Sequence, residues 1–189
     1  MANINVLAPF ILSWEGGYVN HPNDKGGATK YGVTLAQWKI AGYDKDGDGD
    51  IDANDIKLLS VEDYLIVFRR YYWDAVQADL IKDQAVANII VDFCYNSGIG
   101  KIKQIQSIVG AFPDGKVGKS TLLAINTYKG GQQALFKVIW NYRYNFYVNI
   151  AKKNPSQKVF LNGWLNRLNS IGYTWLKYGN KKHTFNEGF

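Results

Sequence analysis

The sequence predicts a mainly helical protein with a small β hairpin or wing near the N-terminus and a helical C-terminal lobe. Apolar residues recur at about every third or fourth position through most of the chain, whereas strand signals are weak and confined to about residues 18–34. The chain has 189 residues, of which 47% are hydrophobic and 20% charged, as is typical of a globular protein. No apolar run approaches the length of a membrane span, so we expect no stable membrane insertion.

The first helix is predicted to end at Glu15. Apolar residues at positions 4, 7, 11 and 14 share one helical face, although Pro9 must lie in the first turn or kink the helix. Two glycines, Gly16 and Gly17, follow directly and predict a left-handed cap that turns the chain sharply. Glu15 should therefore lie at the lip of whatever cleft follows.

An acidic segment over residues 44–55, D-K-D-G-D-G-D-I-D-A-N-D, matches the pattern of a twelve-residue calcium loop. Ca²⁺ takes about six to eight oxygen ligands, and Gly49 at the sixth position permits the sharp bend that such a loop needs. The last ligand is Asp rather than the Glu of a typical EF-hand, and the alternative is a solvated acidic turn. We predict a structural calcium site rather than a sensor, because sensors usually pair two loops. Its predicted ligands are Asp44, Asp46, Asp48, Asp50, Asp52 and Asp55.

Six later helices are predicted. Ser60 and Asp63 resemble a capping box before a helix over 61–72. Periodicity predicts the others over about 83–96, 101–111, 118–128, 132–152 and 159–177. In the last of them one apolar stripe comprises Phe160, Trp164, Leu168, Ile171 and Trp175.

The net charge of +6 conceals a more basic surface. Without the six loop aspartates and Lys45, 21 basic and 10 acidic residues remain, a balance of +11. Such a surface favours polyanions, either nucleic acid or bacterial wall polymer, unless the charge is simply solvated. Because the chain carries no nucleic-acid recognition motif, we expect no nucleic-acid partner.

The position of Glu15 suits acid catalysis. A helix C-terminus disfavours negative charge, and Trp14 and Tyr18 reduce solvation, so the carboxyl should favour its protonated form. Cleavage of a glycosidic bond needs such an acid. Asp24 and Thr29 follow in a glycine-rich segment that could fold back to face the helix end and position water. From spacing alone, an exposed helix-end acid and a turn aspartate are the commoner outcome.

Segment 14–34 closely resembles the N-terminal signature of the glycoside hydrolase family 108 lysozymes; it reads W-E-G-G-Y-V-N-H-P-N-D-K-G-G-A-T-K-Y-G-V-T. Segment 69–74, R-R-Y-Y-W-D, looks like the motif that closes the catalytic region of that family. Three later segments resemble the peptidoglycan-binding domain that accompanies it: V-D-F-C-Y-N-S-G, D-G-K-V-G-K-S-T and G-W-L-N-R-L. The resemblance covers about residues 4–178. It implies a lysozyme-like fold with a catalytic region over 1–80, a helical peptidoglycan-binding region over 81–180 and a tail over 181–189.

The resemblance also implies an activity. The family hydrolyses the β-1,4 bond between N-acetylmuramic acid and N-acetylglucosamine, and its catalytic acid maps onto Glu15. Asp24 and Thr29 are the positional candidates for managing the attacking water. No cofactor is expected for catalysis; the expected partner is peptidoglycan, and the chain should be a monomer. Since sugar rings stack on aromatic faces and acetamido groups accept hydrogen bonds, the predicted substrate contacts are Tyr18, Tyr31, Tyr72, Trp73 and Asn96.

The alternative function is a non-catalytic wall-binding or secretion-associated protein with the same fold, although the intact E-G-G-Y motif favours the enzyme. Residues 1–14 carry no basic region and no small-residue cleavage pattern, so we expect synthesis in the cytoplasm without a recognisable signal peptide. The protein would act on the wall after release or export, as a phage or prophage endolysin does.

Overall fold

The computed structural model describes residues 1–20 and 27–179, which form two compact units. The N-terminal unit comprises Asn5–Tyr71 with Gly179, and the C-terminal unit comprises Met1–Ile4 with Tyr72–Tyr178. The described residues are mainly helical with one antiparallel two-stranded hairpin near the N-terminus, which confirms the predicted fold class. Across these residues no helix is both long and apolar enough to span a membrane. The division into functional regions at residue 80 stays a prediction.

The N-terminal unit carries the hairpin and four helices. Pro9 lies inside the first helix, which ends one residue before Glu15. Two of the helices were not predicted, because six or seven residues carry too little periodicity. Their capping boxes, formed by Thr34 with Gln37 and by Asp52 with Asp55, are the local signals that start them. The elements are α1 (Ile4–Trp14), β1 (Thr29–Lys30), β2 (Val33–Thr34), α2 (Leu35–Ala41), α3 (Ala53–Leu58) and α4 (Val61–Phe68).

The core of the N-terminal unit forms around α1, α2 and α4. Phe10 and Trp38 are completely buried, and the rings of Tyr64 and Phe68 stack with centroids 5.6 Å apart. Each such side chain contributes roughly 1.5–3 kcal/mol through its burial. Gly42 directly after α2 is required sterically, because a Cβ there would lie 2.2 Å from the Trp38 ring.

The described residues of the C-terminal unit form five α-helices, and short 3₁₀ segments at Ile99–Lys101 and Pro155–Gln157 lie in two of the connections between them. A π-helical segment, Arg69–Trp73, continues α4 across the boundary between the units. The predicted final helix is wrong over residues 170–177, where the chain folds back and Ile171 pairs with Leu176 in an isolated antiparallel bridge. The helices are α5 (Gln84–Ser97), α6 (Ile102–Val109), α7 (Lys119–Asn126), α8 (Gln132–Lys153) and α9 (Lys158–Asn169).

A buried ionic network joins α5, α8 and α9. The Asp92 carboxylate is completely buried and accepts a hydrogen bond from Arg143 at 2.8 Å and two from Arg167 at 3.0 and 2.8 Å. Arg143 also donates to the Ile89 carbonyl and the Tyr147 hydroxyl, both at 3.2 Å. Burial alone would raise the pKa of Asp92, but the attraction of the two guanidinium groups outweighs it and lowers that pKa. One carboxylate therefore fixes three helices.

Aromatic rings pack around this network. The Phe93 ring lies edge-on to Phe146 at 5.5 Å, and Tyr147 stacks on Trp164 at 5.6 Å. Cys94 lies fully buried beside them, and burial raises the pKa of its thiol to about 12. A thiol that stays protonated at neutral pH is a packing group rather than a nucleophile.

We predict that Asp92→Asn lowers the free energy of unfolding by about 3–5 kcal/mol, because two buried guanidinium groups lose their counter-charge. Urea unfolding followed by circular dichroism measures the change. Lys129→Gln is the control, since it removes one charge from an exposed position of the same unit and should cost less than about 0.5 kcal/mol. Equal midpoints for the two variants would contradict the central role of Asp92.

Candidate active site

Glu15 directly follows α1. Its backbone N–H donates to the Leu12 carbonyl at 3.1 Å, and the residue is half-buried. The predicted left-handed glycine cap is wrong, because Gly17 has no left-handed backbone. Instead the chain leaves the helix towards the hairpin, and the Gly16 carbonyl accepts the Tyr31 N–H at 3.2 Å.

Backbone pairing holds the hairpin beside this exit. Val19 and Thr29 exchange both of their backbone hydrogen bonds, each 2.8 Å long. The strands pair Thr29 with Thr34 and Lys30 with Val33. The segment after Glu15 therefore forms a third extended stretch against β1, in agreement with the predicted fold-back of the glycine-rich region.

The hairpin turn places an aromatic side chain at its tip. Tyr31 and Gly32 are its two central residues, with φ of 54° and 77°, and both positive angles are typical of a type I′ turn. Positive φ is uncommon for a bulky residue, and such strain concentrates at functional sites. The Lys30 ammonium lies 5.1 Å from the centroid of the Tyr31 ring. Tyr31 thus keeps an unfavourable positive φ at the tip of the hairpin.

Four of the predicted site residues come together through this pairing: Glu15, Tyr18, Thr29 and Tyr31. Tyr18 and Thr29 are half-buried, and the Thr29 hydroxyl donates to the Gly27 carbonyl at 3.4 Å. Asp24, the other predicted catalytic residue, lies outside the described residues.

Sequence reasoning missed two lysines at this site. Lys30 donates from its ammonium to the Lys57 carbonyl at 2.6 Å, and burial lowers the pKa of Lys30. The Lys57 ammonium lies 5.8 Å from the centroid of the Tyr18 ring. Each of the two tyrosine rings therefore has a lysine ammonium within 6 Å of its centroid. No local pattern could reveal them, because a lysine at a hairpin and one at a helix end both resemble ordinary surface residues.

The remaining predicted substrate contacts belong to the C-terminal unit. Tyr72 is half-buried, and its ring lies 4.8 Å from that of Tyr95. Asn96 donates to the Tyr147 hydroxyl at 2.9 Å. Trp73 contradicts its predicted role: it is completely buried and its indole N–H donates to Asp79 at 2.7 Å. Its ring packs in the core and presents no face to a sugar.

The acidic loop gathers its aspartates into two triads. In each triad, one carboxylate oxygen from every member lies within 4.8 Å of the others. Gly49 has φ of 100°, in keeping with the predicted bend. The triads are Asp44, Asp46, Asp48 and Asp50, Asp52, Asp55.

The loop is held in shape by bonds to its own backbone and to α4. The fully buried Asp55 carboxylate accepts backbone N–H groups of Lys45 at 2.6 Å and Asp52 at 2.7 Å, and these bonds lower its pKa although burial alone would raise it. The Lys45 ammonium pairs with Asp63 of α4 at 2.5 Å. Partial desolvation and the charges of neighbouring carboxylates raise the pKa of Asp46. Negative charge is thus crowded on a preformed loop.

Comparison with known proteins finds two families along the chain. A sequence profile described as glycosyl hydrolase 108 matches residues 8–98, and one described as a predicted peptidoglycan domain matches residues 101–169. The solved structure of Brucella abortus SagA is similar, with a TM-score of 0.68 and 28% sequence identity, and the alignment covers 89% of this chain and 92% of that chain. Comparison with curated proteins finds no match. The first profile contains Glu15, Asp24 and Thr29, together with the acidic loop.

We predict that Tyr31→Asn preserves or raises thermal stability, because Asn tolerates positive φ better than an aromatic residue does. If the Tyr31 ring contacts substrate, the same change lowers the rate of peptidoglycan hydrolysis by about tenfold, the effect of roughly 1.4 kcal/mol. Tyr31→Phe keeps the ring and should retain the rate. A fully active Tyr31→Asn protein would remove Tyr31 from the substrate contacts.

Proposed function

Because the chain combines a glycosyl hydrolase 108 domain with a peptidoglycan domain and is a peptidoglycan hydrolase, we propose that it is a lysozyme of the N-acetylmuramidase type. The bond cleaved is the β-1,4 linkage between N-acetylmuramic acid and N-acetylglucosamine. The position of Glu15 carries the proposal: a half-buried carboxyl directly after α1, beside a hairpin that is bonded to the exit of that helix.

Glu15 acts as the general acid. Cleavage proceeds through an oxocarbenium-like transition state, and the leaving oxygen must receive a proton as the bond breaks. Glu15 would supply this proton from its position directly after α1.

Asp24 and Thr29 are proposed to manage the attacking water. The Thr29 hydroxyl bond to Gly27 is at the long end of hydrogen-bond distances, so the hydroxyl can exchange this partner for a water molecule. Tyr18 and Tyr31 would stack on sugar rings. Lys30 and Lys57 would attract the carboxylates that wall peptides and muramic acid carry.

The resemblance of segment 14–34 to lysozymes found in phages supports a finer proposal, that the protein is a phage or prophage endolysin acting on the wall after release. A non-catalytic wall-binding protein of the same fold is the competing function.

A structural calcium ion in the acidic loop is also proposed, with the six loop aspartates as its candidate ligands. The donor set consists of carboxylate oxygens, which Ca²⁺ prefers, and within each triad these oxygens lie within 4.8 Å of one another. Lys45 links the loop to Asp63 of α4, and Trp38 of α2 donates to the Tyr43 carbonyl at 3.1 Å. Binding would therefore stabilise the N-terminal unit and take no part in the chemistry.

We predict that Glu15→Gln abolishes hydrolysis while leaving the fold intact, because the amide cannot supply the proton. Turbidity loss and release of reducing ends from purified peptidoglycan measure activity, and circular dichroism checks folding. Glu62→Gln is the control: it makes the same Glu-to-Gln change elsewhere in the N-terminal unit, and this variant should remain active.

Two results would change this assignment. Wild-type protein that binds the wall and releases no reducing ends would favour the non-catalytic function, and an active Glu15→Gln protein would exclude Glu15 as the acid. The endolysin proposal is tested by producing the wild-type protein inside bacterial cells. Lysis should begin only after the inner membrane is permeabilised, and the Glu15→Gln protein should cause none.

We predict that calcium raises the melting temperature of the wild-type protein. A free concentration about 100 times the dissociation constant adds about 2.7 kcal/mol to the free energy of unfolding. Asp44→Asn combined with Asp48→Asn should remove the shift, whereas Asp74→Asn should keep it. Thermal melts in calcium, in magnesium and in chelator measure the effect; equal melting temperatures in all three would count against the site.

A further inference from the structure

We propose that an aromatic cavity in the C-terminal unit binds the N-acetylated sugar rings of peptidoglycan. The cavity has a volume of about 310 Å³ and lies between α8 and the turn that follows α9. The residues that line it include Phe136, Lys137, Trp140, Asn169, Gly172 and Trp175. The proposal rests on the proposed function for the identity of the polymer, and adds a binding site to it.

The turn after α9 presents one large ring to solvent. The Gly172 N–H donates to the Trp175 carbonyl at 2.9 Å, and the indole lies directly against Gly172. A Cβ at position 172 would lie 2.3 Å from the Trp175 ring, so a larger residue there would displace the indole. The indole remains 52% exposed. Gly172 thus leaves the space that the indole occupies, and the ring still faces solvent.

Further contacts make this turn rigid. The Tyr173 hydroxyl donates to Asp83 at 2.7 Å, and the Tyr173 ring lies edge-on to Phe136 at 5.7 Å. The Lys177 N–H donates to the Ser170 carbonyl at 2.8 Å. A preformed site loses little conformational entropy when it binds a ligand.

A second indole lines the same cavity. Trp140 of α8 is half-buried and stacks on Tyr144 with centroids 5.7 Å apart and an angle of 13° between the rings. Two indoles with a few polar groups are typical of a small-ligand site. The apolar faces of sugar rings can pack on these indoles. The Asn169 amide both donates and accepts, as recognition of an acetamido group requires.

Charge favours an anionic polymer as the occupant. Residues 115–178 contain eight lysines, all of them exposed, and no Asp or Glu, whereas the two arginines of this stretch are buried against Asp92. Lys137 lies at the cavity itself, where it can attract the carboxylates of a wall polymer. A cavity of about 310 Å³ lies within the size range of small-ligand sites, and the peptidoglycan profile over residues 101–169 agrees with a sugar ligand.

The test measures binding of Trp175→Ala to purified insoluble peptidoglycan in a Glu15→Gln background, so that hydrolysis does not disturb the equilibrium. We expect an affinity about tenfold weaker. Trp175→Tyr keeps an aromatic face and should recover most of the binding. Phe160→Ala is the matched control, because Phe160 is also 52% exposed but lies outside the cavity lining, and it should bind as the parent does.

Competition identifies the ligand. Soluble N-acetylglucosamine oligomers should displace the parent protein from the wall at concentrations at which DNA does not. Unchanged binding of a folded Trp175→Ala protein, or displacement by DNA alone, would overturn the proposal. Failure of the proposed function would show up separately, as wild-type protein that releases no reducing ends from peptidoglycan, and would leave the Trp175 comparison to be judged by itself.

Discussion

The arrangement of the C-terminal unit depends on one buried carboxylate. Asp92 lies on α5, and its partners Arg143 and Arg167 lie on α8 and α9, 51 and 75 residues away in sequence. Burying three charges is unfavourable unless each has a partner, so the triad defines how the three helices must meet. Because α8 and α9 are held in this way, the side chains on their other faces occupy defined positions, including Trp140 and Asn169 at the aromatic cavity.

The N-terminal unit is held together by a different kind of interaction. Backbone pairing, rather than buried charge, holds the segment after Glu15 beside the hairpin. The bonds from Tyr31 to Gly16 and between Val19 and Thr29 tie the hairpin to the helix exit. The unfavourable φ of Tyr31 is tolerated because both flanking strands are already paired.

The two proposed binding regions, for calcium and for the wall polymer, carry opposite charge. Acidic residues are concentrated in the loop over 44–55, where crowding favours a cation. Basic residues dominate after position 115, where the chain carries no carboxylate before Glu187. A hydrolase that acts on an anionic, insoluble polymer benefits from such a positive region, because it can retain the protein on its substrate.

Local patterns were sufficient for much of this protein. The helical class, the capping box at Ser60, the bend at Gly49 and the position of Glu15 next to the helix end all follow from interactions between residues close in sequence. The family motifs identified the activity because they are short and local as well.

Long-range contacts decided the rest. Trp73 lies within a recognisable motif, yet packing buries it. Periodicity predicted that the last helix extends to residue 177, although the chain turns back after Asn169. The sequence around Asp92 predicts an ordinary helical residue and does not indicate its two arginine partners. Periodicity and capping motifs depend only on residues that are close in sequence, so they predict which helices and strands form. Segments that are distant in sequence determine which side chains are buried in the core, which join the ionic network and which stay exposed. Only the tertiary structure shows these contacts.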